Sequence, residues 1–282
     1  MKGKIKLVVG LLFATAVVVQ AAPIFVENFD GYDPTTDTTT GNLGQGQLED
    51  VTGTIWSGAD TDSGTLQTLV TGTAGDRSLR IRSASGATPQ LNSSTFTAQD
   101  QASAFGFYYN LEKWGTDNAG TACHKWGRLE IGVRDSVSGN NVFGLEMVAN
   151  SKNNADNNLR VWLFDYTSGT RTNDGASERT AANVRGSDVG SIGLSYDGAG
   201  NILITVFAGA DQTGASLQTI TTTVDSANFS ADSMFIRQGA GGGGRLQDVE
   251  VDDLTVIPEP ATLGLIAVMA GALLFVRRRI MM

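Results

Sequence analysis

The chain of 282 residues carries 20 basic and 29 acidic side chains, one Cys and one His. Three Lys stand in the first six residues and three Arg in the last six, so the stretch from Ala22 to Pro258 holds 14 basic residues against 28 acidic ones. A surface this acidic repels phosphate backbones and excludes nucleic acid as a partner; one Cys forms no intramolecular disulfide and, with one His, builds no Cys/His zinc site.

The first element is an export signal. Lys2, Lys4 and Lys6 precede the apolar run Leu7 to Val19, and Val19-Gln20-Ala21 supplies small or apolar residues at the −3 and −1 positions of a cleavage site. Cleavage after Ala21 makes Ala22 the mature N-terminus. A cut after Ala22 would set Gln20 at −3 and Pro23 at +1, both unfavourable.

The stretch from residue 22 to 256 is long enough to bury a core. Its 35 Gly against 5 Pro in the whole chain, and its wealth of Thr, Ser and Asn, predict many short strands and turns. It shows no amphipathic helix. Strands are predicted over Phe105 to Leu111, Arg128 to Arg134, Val142 to Val148 and Leu159 to Tyr166. Further strands follow at Gly193 to Tyr196, Ile202 to Phe207, Leu217 to Val224, Met234 to Arg237 and Val249 to Val256, and Asp197-Gly198-Ala199-Gly200-Asn201 marks a hairpin. Such spacing predicts an all-β, antiparallel two-sheet β-sandwich.

In the last strand Val249 and Val251 share one phase while Leu254 and Val256 share the other. A β-bulge at Asp252-Asp253 would return both pairs to the core and turn one Asp out of the alternation. In the strand at 159–166, Leu159, Val161 and Leu163 define one face and Arg160, Trp162 and Phe164 the other. Either both faces are buried, or Trp162 and Phe164 line a concave face.

The domain opens with Val26-Glu27-Asn28-Phe29-Asp30-Gly31-Tyr32 and closes with Val251-Asp252-Asp253-Leu254-Thr255-Val256. In both segments it resembles exported bacterial jelly-roll modules of the concanavalin/laminin-G-like group. That resemblance implies a jelly roll with carbohydrate or protein binding, and fixes no single function. In a jelly roll the first and last strands lie side by side, so Glu27 and Asp30 come near Asp252 and Asp253 as a candidate calcium set. Calcium takes about 6–8 oxygen ligands. The simpler reading has these acids solvated, with Asp-Asp blunting an edge strand.

Other constellations carry less. Laminarinase-like glycosidases on this fold set Glu-x-Asp-x-Glu along one strand. Here Glu130 stands at the first position, but Gly132 and Arg134 replace the other two, so the second carboxylate is missing and Glu130 reads as a residue on the solvated face. Cys123 and His124 are adjacent and point to opposite faces of an extended strand, which forms no nucleophile–base dyad. Asp60 to Gly64 begins like a calcium loop, but Thr71 stands where an EF-hand needs Glu. Gly241 to Gly244 lacks the Lys-Ser/Thr of a phosphate loop. Trp56, Trp114, Trp126, Trp162, Tyr108 and Tyr109 could form a sugar platform, or else pack in the core.

The C-terminus reads Pro258-Glu259-Pro260, then an apolar run from Ala261 to Val276, then Arg277-Arg278-Arg279. The run is short for a span but can cross with snorkelling flanks, and basic residues after it place the C-terminus in the cytoplasm and the domain outside. This order of parts resembles the PEP-CTERM sorting domain of exported proteins in Gram-negative bacteria that make exopolysaccharide. The resemblance implies a membrane protease, an exosortase, that recognises Pro258, Glu259 and Pro260 and processes the chain there. The expectation is therefore a signal peptide over 1–21, a β-sandwich over 22–256 and a sorting tail with a transmembrane helix over 257–282. The protein would be a non-enzymatic surface or matrix protein associated with extracellular polysaccharide, or alternatively a polysaccharide-active enzyme on the same fold.

Overall fold

A computed structural model describes residues 21–35, 48, 51, 53–58, 66–83, 90–114, 128–149, 158–167, 172–173, 184–185, 188–224, 228–238 and 247–258. In chain order the strands are β1 (Phe25–Glu27), β2 (Ser57–Gly58), β3 (Leu66–Thr73), β4 (Asp76–Ser83), β5 (Gln90–Asn92), β6 (Gln99–Asp100), β7 (Phe105–Trp114), β8 (Arg128–Arg134) and β9 (Asn141–Ala149). They continue with β10 (Asn158–Asp165), β11 (Thr172–Asn173), β12 (Val184–Arg185), β13 (Ser191–Tyr196), β14 (Asn201–Phe207), β15 (Ser216–Thr223), β16 (Ser230–Ala231), β17 (Ser233–Gln238) and β18 (Gln247–Pro258). Among the described residues there is no α-helix.

Two large antiparallel sheets face each other. Sheet one runs β15, β14, β13, β7, β18, β4, β3, with β1 also on β18; sheet two runs β11, β10, β9, β8, β17, β5, β2, with β12 on β10. Strands β6 and β16 form a short ribbon. Alternation explains the layering. Phe105, Phe107, Tyr109 and Leu111 of β7 point inward from sheet one; Leu129, Ile131 and Val133 of β8 point inward from sheet two. The layers meet at rings such as Phe105 against Phe143, with centroids 6.4 Å apart. This single core holds residues from Phe25 to Val256.

The predicted bulge is present. The pairing of β18 with β7 shifts register between Asp252 and Thr255, and Asp253 takes a left-handed conformation with φ of 49°. Val249, Val251, Leu254 and Val256 are all buried as a result. The two halves of β18 also have different neighbours on one side. β4 pairs Gln247 to Val251, and β1 pairs Leu254 to Val256.

Candidate functional site

The predicted site residues gather in three places, the first being the seam between β1 and β18. Phe25 lies opposite Val256 and Glu27 opposite Leu254, and the Ile24 N–H donates to the Val256 carbonyl at 2.9 Å. Ala21 and Ala22 are therefore only a few residues from the end of the domain. Pro258 closes β18 opposite Phe105. Glu259, Pro260, the apolar run and Arg277, Arg278 and Arg279 lie outside the described residues, as do residues 1–20 of the export signal. Among the described residues no helix is long and apolar enough to cross a membrane.

The four carboxylates of the calcium set divide. Glu27 shares the inward phase of β1 with Phe25 and is buried. Its Oε1 accepts the Phe29 N–H at 2.9 Å; its Oε2 accepts the Trp56 indole Nε1–H at 3.1 Å and the Tyr32 hydroxyl. Burial, and then the Glu27 carboxylate beside it, raise the Tyr32 phenol above its usual range, so it stays a donor. Glu27 is thus a staple that ties the turn at Phe29 and the loop at Trp56 to the first strand. The phase of Phe25 and Glu27 was the signal for this; reading the acid as solvated or metal-bound missed it.

Asp30, Asp252 and Asp253 lie close enough on sheet one for the charge of Asp30 to act on the other two. Asp30 Oδ1 accepts the Arg77 N–H at 3.0 Å. Desolvation, and then the charges of Asp253, Glu112 and Asp30, push Asp252 up to about 7. Asp253 is raised by desolvation and then by Asp211 and Asp30. The hydrogen-bonding partner here is an amide. Asn110, buried on β7, donates through Nδ2 to Asp253 Oδ2 at 2.9 Å and to Asp211 Oδ1 at 3.0 Å, and its Oδ1 accepts the Asp211 N–H at 2.8 Å. Asp211 and Asp253 both hold positive φ, and Asn110 fixes both. Among the described residues no group of three or more His, Cys, Asp or Glu side chains is arranged to hold a metal ion. The donor set does not fit calcium: Glu27 is committed to the core, and Asp253 to Asn110.

The third place is the outer face of sheet two. Register sets Arg237, Glu130, Glu146 and Trp162 in one row across β17, β8, β9 and β10. The next row is Phe235, Gly132, Gly144 and Phe164. Glu130 is not on a solvated face: it and Glu146 are 0% exposed. Tyr166 donates its hydroxyl to Glu130 Oε1 at 2.5 Å, and Arg237 Nε lies 3.7 Å from Glu130 Oε2. The two glycines make the room. A Cβ on Gly144 would sit 2.0 Å from Glu130 Oε1, and one on Gly132 would meet the Phe143 carbonyl at 2.0 Å and the Phe235 ring at 2.8 Å. Trp162, Phe164, Tyr166 and Phe235 form a second buried cluster. Of the two sequence readings of the Trp162 strand, burial on both faces is the one that holds. A second carboxylate, Glu146, lies across from Glu130 rather than along its strand, which a search of one strand could not reveal.

Trp56 and Trp114 are also buried, as is Tyr109, while Tyr108 is half-buried. Cys123, His124, Trp126, Asp60 to Gly64 and Gly241 to Gly244 lie outside the described residues.

No protein-family model matches the chain, and no curated protein matches it. Among solved structures it is similar to the carbohydrate recognition domain of Emp47p, at 12% identity and TM-score 0.42, covering 86% of this chain and 98% of that one. It is similar also to the CBM2 module of the evolved Dit of Lactobacillus casei BL23 phage J-1, at 11% identity and TM-score 0.41, covering 86% and 97%. The Ca2+-bound VIP36 exoplasmic/lumenal domain matches at 10% identity and TM-score 0.42, covering 76% and 89%. At such identities and TM-scores these likenesses assign no activity.

Proposed function

We propose that this chain is an exported surface protein, held by its C-terminal segment and processed at Pro258-Glu259-Pro260 by an exosortase-type membrane protease. Its sandwich is a non-enzymatic component of the extracellular polysaccharide matrix. The observation that carries the reading is the antiparallel pairing of β1 with the end of β18. It sets Ile24, shortly after the expected cleavage site, beside Val256, two residues before the first residue of the expected sorting motif. A domain whose termini leave from the same end can have both processed at one membrane surface while its body stays outside. Pro258, the first residue of the motif, is also the last residue of β18. Both prolines remove a donor and favour extended backbone, the form a protease cleft accepts.

The outer face of sheet two supports the non-enzymatic part. A two-carboxylate reaction on a sugar needs both acids within reach of substrate. Glu130 and Glu146 are closed off from solvent, and Glu130 is engaged by Tyr166 and Arg237.

The test is a comparison of the full chain with the double variant Pro258→Ala/Pro260→Ala in a host that carries an exosortase. The wild type should yield a shorter form released from the membrane fraction, and the variant a full-size form retained there. Equal size and location of the two would end the sorting reading. Retention on extracellular polysaccharide without release of reducing ends is expected; turnover would favour the enzyme alternative.

A further inference from the structure

The edges of the sheets differ in how they are closed. The edge strands of sheet two, β2, β11 and β12, are two residues long each, and brevity is one way natural sheets avoid pairing with other chains. On sheet one, β3 forms one edge, and its Thr68 carbonyl accepts the Leu48 N–H at 3.1 Å. The opposite edge is β15, eight residues long, which among the described strands pairs only with β14. Beyond its first residue, where the register shifts, it runs regularly from Gln218 to Thr223. Apart from that shift, the strand lacks the charge and the proline that commonly protect an edge. From Gln212 to Val224 the sequence holds no charged residue and no Pro, and the same is true from Gly198 to Ala210 across β14. On the outer face of this hairpin stand Leu203 and Leu217, 41% and 38% exposed.

We propose that β15 is a self-association edge, through which two copies of this chain join β15 to β15 in antiparallel pairing and extend sheet one across a two-fold axis. Two features select a second copy as the occupant. The first is charge. With 14 basic residues against 28 acidic ones between Ala22 and Pro258, two copies repel over most of their surface, and an uncharged edge is where they meet without that cost. The second is self-complementarity. Pairing centred on Ile220 sets Thr219 of one copy against Thr221 of the other and Leu217 against Thr223, and leaves inward and outward phases unchanged. Ile220, the buried residue of the strand, then meets its own copy on the core side. Thr–Thr and aliphatic–Thr cross-strand pairs are favourable, and backbone hydrogen bonds along the joined edge supply the affinity. Because the contact is the same patch on both copies, the assembly closes as a dimer and does not grow into a filament.

Sedimentation velocity of the full chain in a mild detergent, over micromolar to near-millimolar concentrations, tests this. The wild type should reach the mass of a dimer at the upper end of the range. Thr219→Lys/Thr221→Lys, at two exposed positions, should raise the dissociation constant at least about tenfold, which is about 1.4 kcal/mol. Thr73→Lys on β3 should leave it unchanged. An unshifted thermal midpoint certifies that a variant is folded, and Thr219→Glu alone replaces the double variant if that midpoint is lost. A monomer at every concentration would overturn the proposal. So would a dimer that survives the β15 variants, which would place association in the C-terminal segment or another face, and so would one that Thr73→Lys weakens equally.

Discussion

Two buried glutamates, one on each sheet, accept a hydrogen bond from a tyrosine, and they do so in different company. Glu27 lies in the main core at the seam of the first and last strands, and it accepts from neutral groups: a backbone N–H, a phenol and an indole. Glu130 lies outside the main core, on the far face of sheet two, with Arg237 beside it and a second carboxylate, Glu146, opposite. A carboxylate held by neutral donors must keep every one of them, because each is a buried group whose hydrogen bond has no substitute. A carboxylate with a cation beside it depends on the fit of the row around it. The first arrangement closes the chain ends; the second builds a covered layer on a face that strand alternation alone would leave to water.

The largest effect is expected at Glu27. Glu27→Ala leaves the Tyr32 hydroxyl, the Trp56 indole and the Phe29 N–H without their acceptor in the core, and unsatisfied buried groups cost roughly 1–3 kcal/mol each. Urea unfolding should show a loss of about 3–5 kcal/mol. Glu27→Gln, which keeps an acceptor oxygen, should recover part of it. A loss under about 1 kcal/mol for Glu27→Ala would mean that the seam is solvated and the staple unimportant.

The row on sheet two can be broken through its glycines. Gly132→Ala drives a methyl into the Phe143 carbonyl of the neighbouring strand, which is backbone and cannot swing away. Gly144→Ala presses on the Glu130 side chain, which can shift at the expense of its bond to Tyr166. Overpacking costs typically 1–3 kcal/mol, so about 3 kcal/mol is expected for Gly132→Ala and about 1–2 kcal/mol for Gly144→Ala. Equal costs would show that Glu130 is as rigid as the backbone. No cost for Gly144→Ala would deny that Glu130 leans over Gly144 at all.

These two sites also show where the sequence was legible. The bounds of β8 were readable because Leu129, Ile131 and Val133 alternate with polar residues. The bulge in β18 was readable because two pairs of apolar residues lay in opposite phases. The role of Glu130 was not, because alternation assigns the polar phase of a strand to solvent, and here that phase is covered. The neighbouring β9 and β10 carried the warning, since Val142 to Val148 and Leu159 to Phe164 are largely apolar in both phases, and β8 lies beside β9. Strands β3 and β4 were missed altogether. Thr68 is buried in β3 although polar, and Leu79 and Ile81 of β4 are flanked by Arg80 and Arg82, so neither run looks apolar.

A smaller effect should appear with pH on the outer side of sheet one, where Asp252 meets the charges of Asp253, Glu112 and Asp30. Asp252 rises from 3.8 to about 7 in the fold, chiefly through desolvation and then through Asp253, Glu112 and Asp30. Its proton is therefore bound more tightly in the folded state. The stability this contributes is complete below the unfolded value near 4 and is lost as pH rises from about 4 to about 7. About three pKa units correspond to about 4 kcal/mol, and partial exposure reduces this to roughly 1–2 kcal/mol. Asp252→Asn should therefore unfold at a higher midpoint than the wild type at pH 8 and lose that advantage near pH 4. An advantage of the same size at both pH values would assign the effect to something other than this proton.

The smallest expected effect is that of calcium, and it separates the two kinds of acid most sharply. A cation that bound only the native state would raise the melting midpoint with its concentration. Such a site needs several oxygens free to turn toward one point. Glu27 has both oxygens engaged in the core, and Asp253 is held by the amide of Asn110, which also holds Asp211. With Asp252 able to take a proton, and Asn110 donating to Asp211 and Asp253, the repulsion within the cluster is relieved without a metal. The midpoints in EDTA and in millimolar calcium should therefore coincide. Asn110→Asp gives the control. It replaces the amide donor with a third carboxylate between Asp211 and Asp253, which should lower the midpoint in EDTA and make it recover in calcium. A calcium-dependent rise in the wild type that Asp253→Asn abolishes would show instead that the acids at the bulge turn toward a cation and that Asn110 does not hold them.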